Sequence, residues 1–146
     1  MDVRDFLAPA QGPDEIGRLG GYRVLKVLGR GGMGVVFLAE DIQLQRRVAL
    51  KVMLPGRGGQ ATVADAAKQR FLREARLAAS IRHDHIVTIH QVGEDRGVPF
   101  FAMELLEGMS LEDWLKKDRK VSMAQVLKIG REIALGLAAA HAKGLI

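Results

Sequence analysis

The feature that most restricts this chain is a cluster of four glycines in six residues, inside LGRGGMGVV (28–36). Glycine admits backbone angles and close approaches that other residues exclude. The flanks say what the cluster connects. YRVLKVLG, before it, alternates polar and apolar residues as a half-buried strand does. VVFLAED (35–41), after it, is rich in β-branched and aromatic residues, which also favour a strand. The glycines therefore turn one strand into the next. A Walker loop would need a lysine directly after the second spaced glycine. Gly29 and Gly34 have the spacing, but Val35 stands in the lysine's place. A dinucleotide fingerprint would need the glycines to open a helix, and a strand follows instead. What remains is a hairpin flap whose backbone N–H groups can lie close over a phosphate chain.

Such a flap supplies little positive charge, so it needs a separate cation. VALKVML (48–54) reads as a third strand ended by Pro55, and Lys51 stands in its middle. A lysine in so apolar a run either snorkels from a half-exposed strand or is paired with an acid. Glu74, in FLREARL, is a candidate acid on the next helix. Its plainer role is a surface charge paired with Arg70 or Arg73. Each residue alone favours the plainer reading. Together with the flap they favour a phosphate site.

The remaining pattern predicts an α+β order, β-β-β-α-β-β and then two helices. Residues 1–21 carry Pro, Gly and acids without periodicity and read as a leader or linker. Thr62 with Asp65 has the spacing of a capping box, and Phe71, Leu72, Ala75, Ala78 and Ala79 form a helical stripe running to about Ile81. Strands are predicted over 86–93 and 98–105 around the turn EDRG. Ser110 and Asp113 open a short helix, and Ser122 and Gln125 open a last one with the stripe Val126, Ile129, Ile133, Leu137, Ala140. Gly144 is placed to end it.

Composition narrows the classes. Apolar residues make up 48% of the 146, enough for a core. The net charge of +5 is spread along the chain, which favours an ordinary basic surface over a nucleic-acid footprint. With no cysteine, disulfides, thiolate catalysis and cysteine-bound metals are excluded. His83, His85 and His90 gather no further ligand, so no metal site is expected. There is no signal-peptide pattern, and no run approaches the roughly 20 apolar residues of a membrane span. A cytoplasmic protein is expected, with an anchor beyond this stretch left open.

These motifs, in this order, resemble the N-terminal part of the eukaryotic-like (Hanks-type) protein kinases, in particular the bacterial serine/threonine kinases. LGRGGMGVV matches their G-x-G-x-x-G-x-V loop and VALK their V-A-I-K. FLREARLAASIRHDHIV is similar to their αC helix and the turn after it. FFAMELLEGMSLEDWL is similar to their hinge, and AQVLKIGREIALGLAAAHAKGLI to their αE helix. The resemblance implies a five-stranded antiparallel sheet with the αC helix as an N-lobe with its hinge over 22–107. The first two helices of a C-lobe would follow over 108–146.

It further implies that ATP is bound. Gly29, Gly31 and Gly34 would shape the flap, with Arg30, Gly32, Met33 and Val35 completing the loop that borders the nucleotide. Leu28, Val36 and Ala49 would roof the adenine. Lys51 would hold the α- and β-phosphates and pair with Glu74 in the active arrangement. Met103 would be the gatekeeper, and the backbones of Glu104 and Leu106 would hydrogen-bond the adenine edge. The sequence ends at KGLI, where the family continues into H-R-D and later D-F-G. The aspartate that accepts the hydroxyl proton and the Mg²⁺ ligands are therefore expected outside this stretch, and the stretch by itself is expected not to transfer phosphate to protein Ser/Thr hydroxyls. The alternatives are a short non-catalytic nucleotide-binding or regulatory module and, ranked lower, a small-molecule phosphotransferase. The stripe of the last helix is expected to pack into the C-lobe.

Overall fold

The structure, a computed structural model, describes residues 2–32, 34–54, 61–117 and 120–145, with 61–63 described by their backbone alone. Six strands form one antiparallel sheet, β1 (Gly17–Leu19), β2 (Tyr22–Gly31), β3 (Gly34–Asp41), β4 (Arg46–Met53), β5 (Ile89–Asp95) and β6 (Val98–Glu104). Their spatial order is β1-β2-β3-β4-β6-β5. Helix α1 (Ala61–Ala79) lies between β4 and β5 in sequence, and α2 (Leu111–Lys116) and α3 (Met123–Ala142) follow the sheet.

Alternation decides what each strand buries. Val35, Phe37 and Ala39 of β3, Val48, Leu50 and Val52 of β4, and Phe100 and Ala102 of β6 form one continuous cluster with Tyr22 and Val24 of β2. Full burial of a side chain of this size contributes about 1.5–3 kcal/mol. The sheet curls until its edges meet. Tyr22 Oη donates to Gln91 Oε1, and its ring meets Phe100 edge-on at 5.9 Å. The Gly20 N–H donates to Asp95 Oδ2 at 2.9 Å. Gly20 has a φ of +54°, and a Cβ there would stand 3.0 Å from the Phe100 ring, so the closure requires glycine.

Residues 2–21, expected as a leader or linker, instead pack onto this cluster and add a sixth strand to the five expected. Strand β1 pairs with Tyr22–Val24, and Ala8 and Arg18 exchange backbone hydrogen bonds of 2.8 and 2.9 Å. Leu7 and Leu19 are buried, and the Phe6 ring lies 6.1 Å from that of Phe37. Arg96 reaches across from the β5–β6 turn to donate to the Phe6 carbonyl at 3.2 Å. Buried Glu15 holds the segment's loop. It accepts from Arg18 Nε at 2.6 Å and from the Gln11 N–H at 2.9 Å. The Arg18 hydrogen bond, supported by Gln11, holds the Glu15 carboxyl below the ordinary carboxylate range against the opposing effect of burial.

Helix α1 buries Leu72 and Ala75 of its stripe. Lys68 bridges to Glu94 on β5, and Phe71 packs on Phe101 of β6 with centroids 5.5 Å apart. Thr62 lies one residue inside this helix, and its side chain is outside the described residues. The two later helices begin as expected. Ser110 Oγ accepts from the Asp113 N–H, and Ser122 and Gln125 form a reciprocal capping box. Gly144, with a φ of +85°, ends α3 in a Schellman arrangement: its N–H bonds to His141 O and that of Leu145 to Ala140 O, both at 3.0 Å. The stripe of α3 is about half exposed at Val126, Ile133 and Leu137. Its buried residue is Gly136, where a Cβ would come within 2.9 Å of the His85 carbonyl oxygen. Among the described residues no helix is long and apolar enough to cross a membrane.

Candidate nucleotide-binding site

The glycine cluster joins β2 to β3, as its flanks predicted. The ladder closes Gly29 on Val36, Arg30 on Val35 and Gly31 on Gly34, which leaves two residues at the tip. Met33, named with this loop, lies outside the described residues. The glycines divide into two kinds. At Gly34 an added Cβ would collide with the carbonyl oxygen of Val52 and stand 3.2 Å from its carbonyl carbon. Backbone cannot yield as a side-chain end can, so the packing of β3 on β4 requires this glycine. At Gly29, Gly31 and Gly32 no atom of the described residues lies within 4 Å of the Cβ position. Among the described residues no packing accounts for their missing side chains.

The sheet face opposite the buried cluster carries the other expected residues. Register places Val36, Lys51 and Phe101 in one row across β3, β4 and β6, and Leu38, Ala49 and Met103 in the next. Lys51 and Met103 are half-buried, whereas Leu28 is 47% exposed beside the flap. The Glu104 N–H is engaged by the Thr88 carbonyl at 2.9 Å, while Leu106 lies past the end of β6 and is 61% exposed. The structure thus brings Gly29, Gly31, Val36, Ala49, Lys51 and Met103 to one face, with Glu104 and Leu106 at its rim.

Glu74 departs from the expectation of a pair with Lys51. Its Oε1 accepts from Arg70 Nε at 2.9 Å, and the two side chains are 51% and 81% exposed. Arg70 stands one turn earlier on the same helix, so this pair forms without ordering anything distant. Lys51 has a different neighbour. Its Nζ lies over the ring of Phe101, 5.9 Å from the centroid, within the range of a cation–π contact. The same ring packs on Phe71 of α1. Neither aromatic had been singled out as a site residue. The signal was available, since Phe101 precedes Met103 by two residues and strand alternation puts both on the face of Lys51.

Comparison with known proteins accords with this geometry. The protein kinase domain model matches residues 22–146. The chain is 41% identical over 128 residues to the serine/threonine-protein kinase PknD of Mycobacterium tuberculosis, a match covering 88% of this chain and 19% of that protein. It is 40% identical over 134 residues to serine/threonine-protein kinase pkn2 of Myxococcus xanthus, covering 92% of this chain and 16% of the relative. With serine/threonine-protein kinase PrkC of Bacillus subtilis it shares 36% over 127 residues, covering 87% of this chain and 19% of the relative. The chain therefore spans less than a fifth of the length of these relatives. Among solved structures, the Mycobacterium tuberculosis PknI kinase domain superposes with a TM-score of 0.70 at 32% identity, over 86% of this chain and 49% of that one. With the family model covering β2 to β6, the glycine hairpin and α1 to α3, this chain belongs to the protein kinase domain family.

Proposed function

We propose that these residues are the ATP-holding part of a protein serine/threonine kinase, with 22–107 as the nucleotide lobe and hinge and 108–146 as the start of the second lobe. The observation that carries the reading is the open space at Gly29 and Gly31. Among the described residues nothing in the packing excludes a side chain there, on a hairpin whose Gly29 shares a sheet row with half-buried Lys51. A phosphate chain lying against that backbone supplies the reason for glycine.

In this reading Leu28, Val36 and Ala49 cover the adenine. Met103 limits the depth of its pocket. The Glu104 carbonyl and the Leu106 N–H meet the adenine edge, an assignment compatible with the Glu104 N–H being engaged by Thr88. Lys51 donates to the α- and β-phosphates. Glu74 reaches Lys51 only after leaving Arg70. An exposed pair at this spacing contributes about 0.3–0.5 kcal/mol, so releasing Arg70 costs little. We assign these residues the binding and orientation of the nucleotide. Proton transfer from a protein substrate's Ser/Thr hydroxyl and coordination of Mg²⁺, which would neutralise charge on the phosphates, are assigned to none of them. We place this part of the protein in the cytoplasm, where ATP is available.

The test is a thermal-shift titration of the chain with ATP and Mg²⁺. Stabilisation of about 2.7 kcal/mol is expected when ligand reaches a hundred times its Kd. Lys51→Met should weaken binding and leave the melting temperature without ligand unchanged. In a longer protein that phosphorylates Ser or Thr, the same change should abolish transfer. Absence of any ATP-dependent shift in the unsubstituted chain would overturn the reading.

A further inference from the structure

We infer that Phe101 is a positioning residue for Lys51, holding the ammonium over its ring face while Glu74 is engaged elsewhere. The inference rests on the nucleotide site proposed above. Three observations carry it. Lys51 and Phe101 are direct cross-strand partners on β4 and β6, so their side chains leave the sheet side by side on the same face. The ammonium lies 5.9 Å from the ring centroid. The carboxylate that the family resemblance assigns to Lys51 is instead bonded to Arg70.

The chemistry of this contact differs from that of an ion pair. A carboxylate takes one or two of the three ammonium protons as hydrogen-bond donors. A ring face attracts the cation electrostatically and competes for those protons far less than a carboxylate does. Lys51 is therefore held in place with the donors that face away from the ring left for phosphate oxygens. The row runs Gly29–Val36–Lys51–Phe101, so the lysine and its ring share one sheet face with the glycine hairpin.

The ring is itself fixed from α1. Phe71 packs on it at 5.5 Å with the planes inclined by 32°. Lys68, three residues earlier on α1, bridges to Glu94 on β5, and Leu72 and Ala75 bury the same helix. The position of α1 is thus conveyed to Lys51 through two packed rings, independently of Glu74.

The experiment compares the unsubstituted chain with Phe101→Leu, Phe101→Tyr and Phe71→Leu. The ε-methylene protons of a lysine held over an aromatic face resonate upfield, and Lys51→Met identifies that resonance. In Phe101→Leu the upfield shift should vanish, and affinity for Mg²⁺-ATP should fall roughly two- to fivefold, the range of an exposed cation–π contact. Phe101→Tyr keeps the ring face and should restore both. Phe71→Leu should reduce the upfield shift in part. An unchanged Lys51 resonance or unchanged affinity in Phe101→Leu would overturn the inference, as would failure of Phe101→Tyr to restore them in a protein with unaltered melting temperature. If the unsubstituted chain binds no ATP, the proposed function fails, yet the Lys51 resonance still decides whether Phe101 holds the lysine.

Discussion

The two faces of the sheet are made by the same strands and follow opposite rules. On one face Val35, Phe37, Leu50 and Val52 are wholly buried, closed over by Phe6, Leu7 and Leu19. On the other, Leu38 and Ala49 are covered, but Val36, Lys51, Phe101 and Met103 are only half covered. Period-two alternation sends neighbouring residues to opposite faces, so each strand gives residues to the closed core and to the candidate site at successive positions. The glycines repeat the contrast at the level of the backbone: Gly34 is seated against Val52, and among the described residues Gly29 and Gly31 meet nothing. The difference teaches that function is most legible where the packing leaves a residue unexplained.

Substitutions can break or sharpen this contrast. The largest effect is expected on the closed face. Phe37→Ala empties a fully buried site and should cost about 3–5 kcal/mol in chemical denaturation, with ATP affinity unchanged in the fraction that remains folded. Gly34→Ala should come next, at about 1–3 kcal/mol, because Val52 and Met53 must move to admit the methyl group. Gly31→Ala should separate the faces most cleanly. Relieved of glycine's entropy in a strand, it should be neutral or stabilising by up to about 0.5–1 kcal/mol while weakening nucleotide binding. A Gly31→Ala protein that unfolds as readily as Gly34→Ala would erase the distinction between the two glycines.

The smallest effect concerns acid. Glu15 has a folded pKa below its ordinary value of 4.5, chiefly through its hydrogen bond with Arg18. A lowered carboxyl value contributes stability at pH above the unfolded value, and that stability is lost as pH falls through the folded one. Protection of the Gln11 and Arg18 amides from hydrogen exchange, taken relative to the intrinsic rate at each pH, should therefore fall on acidification below the ordinary carboxylate range. Glu15→Gln should remove the pH dependence of this protection. Persistence of the same dependence in Glu15→Gln would assign it to another group.

What the sequence made legible was local. Strand alternation, the caps at Ser110 and Ser122, and the glycine ending α3 each depend on residues within a few positions of one another. The order β-β-β-α-β-β followed from such signals. Residues 2–21 escaped because their order comes from distant partners: Arg96 for the Phe6 carbonyl, Phe37 for the Phe6 ring, Asp95 for Gly20. Leu7, Glu15 and Leu19 meet the core singly and leave no periodicity to read. In the site, Lys51 was legible because a charge in an apolar strand demands a reason. The partner of Glu74 was not, since Arg70 and Lys51 are both cations and only the placement of the helix selects between them.

The two legs of the glycine hairpin also differ mechanically. The β3 leg runs in unbroken register with β4 from Gly34–Met53 to Asp41–Arg46. The β2 leg shifts register against β3 twice, between Val24 and Lys26 and between Val27 and Gly29. A load applied at the tip is resisted by the first leg and taken up by the second. Gly34, seated against Val52, is then the fulcrum, and the hairpin is a lever whose compliant arm is the strand that enters it.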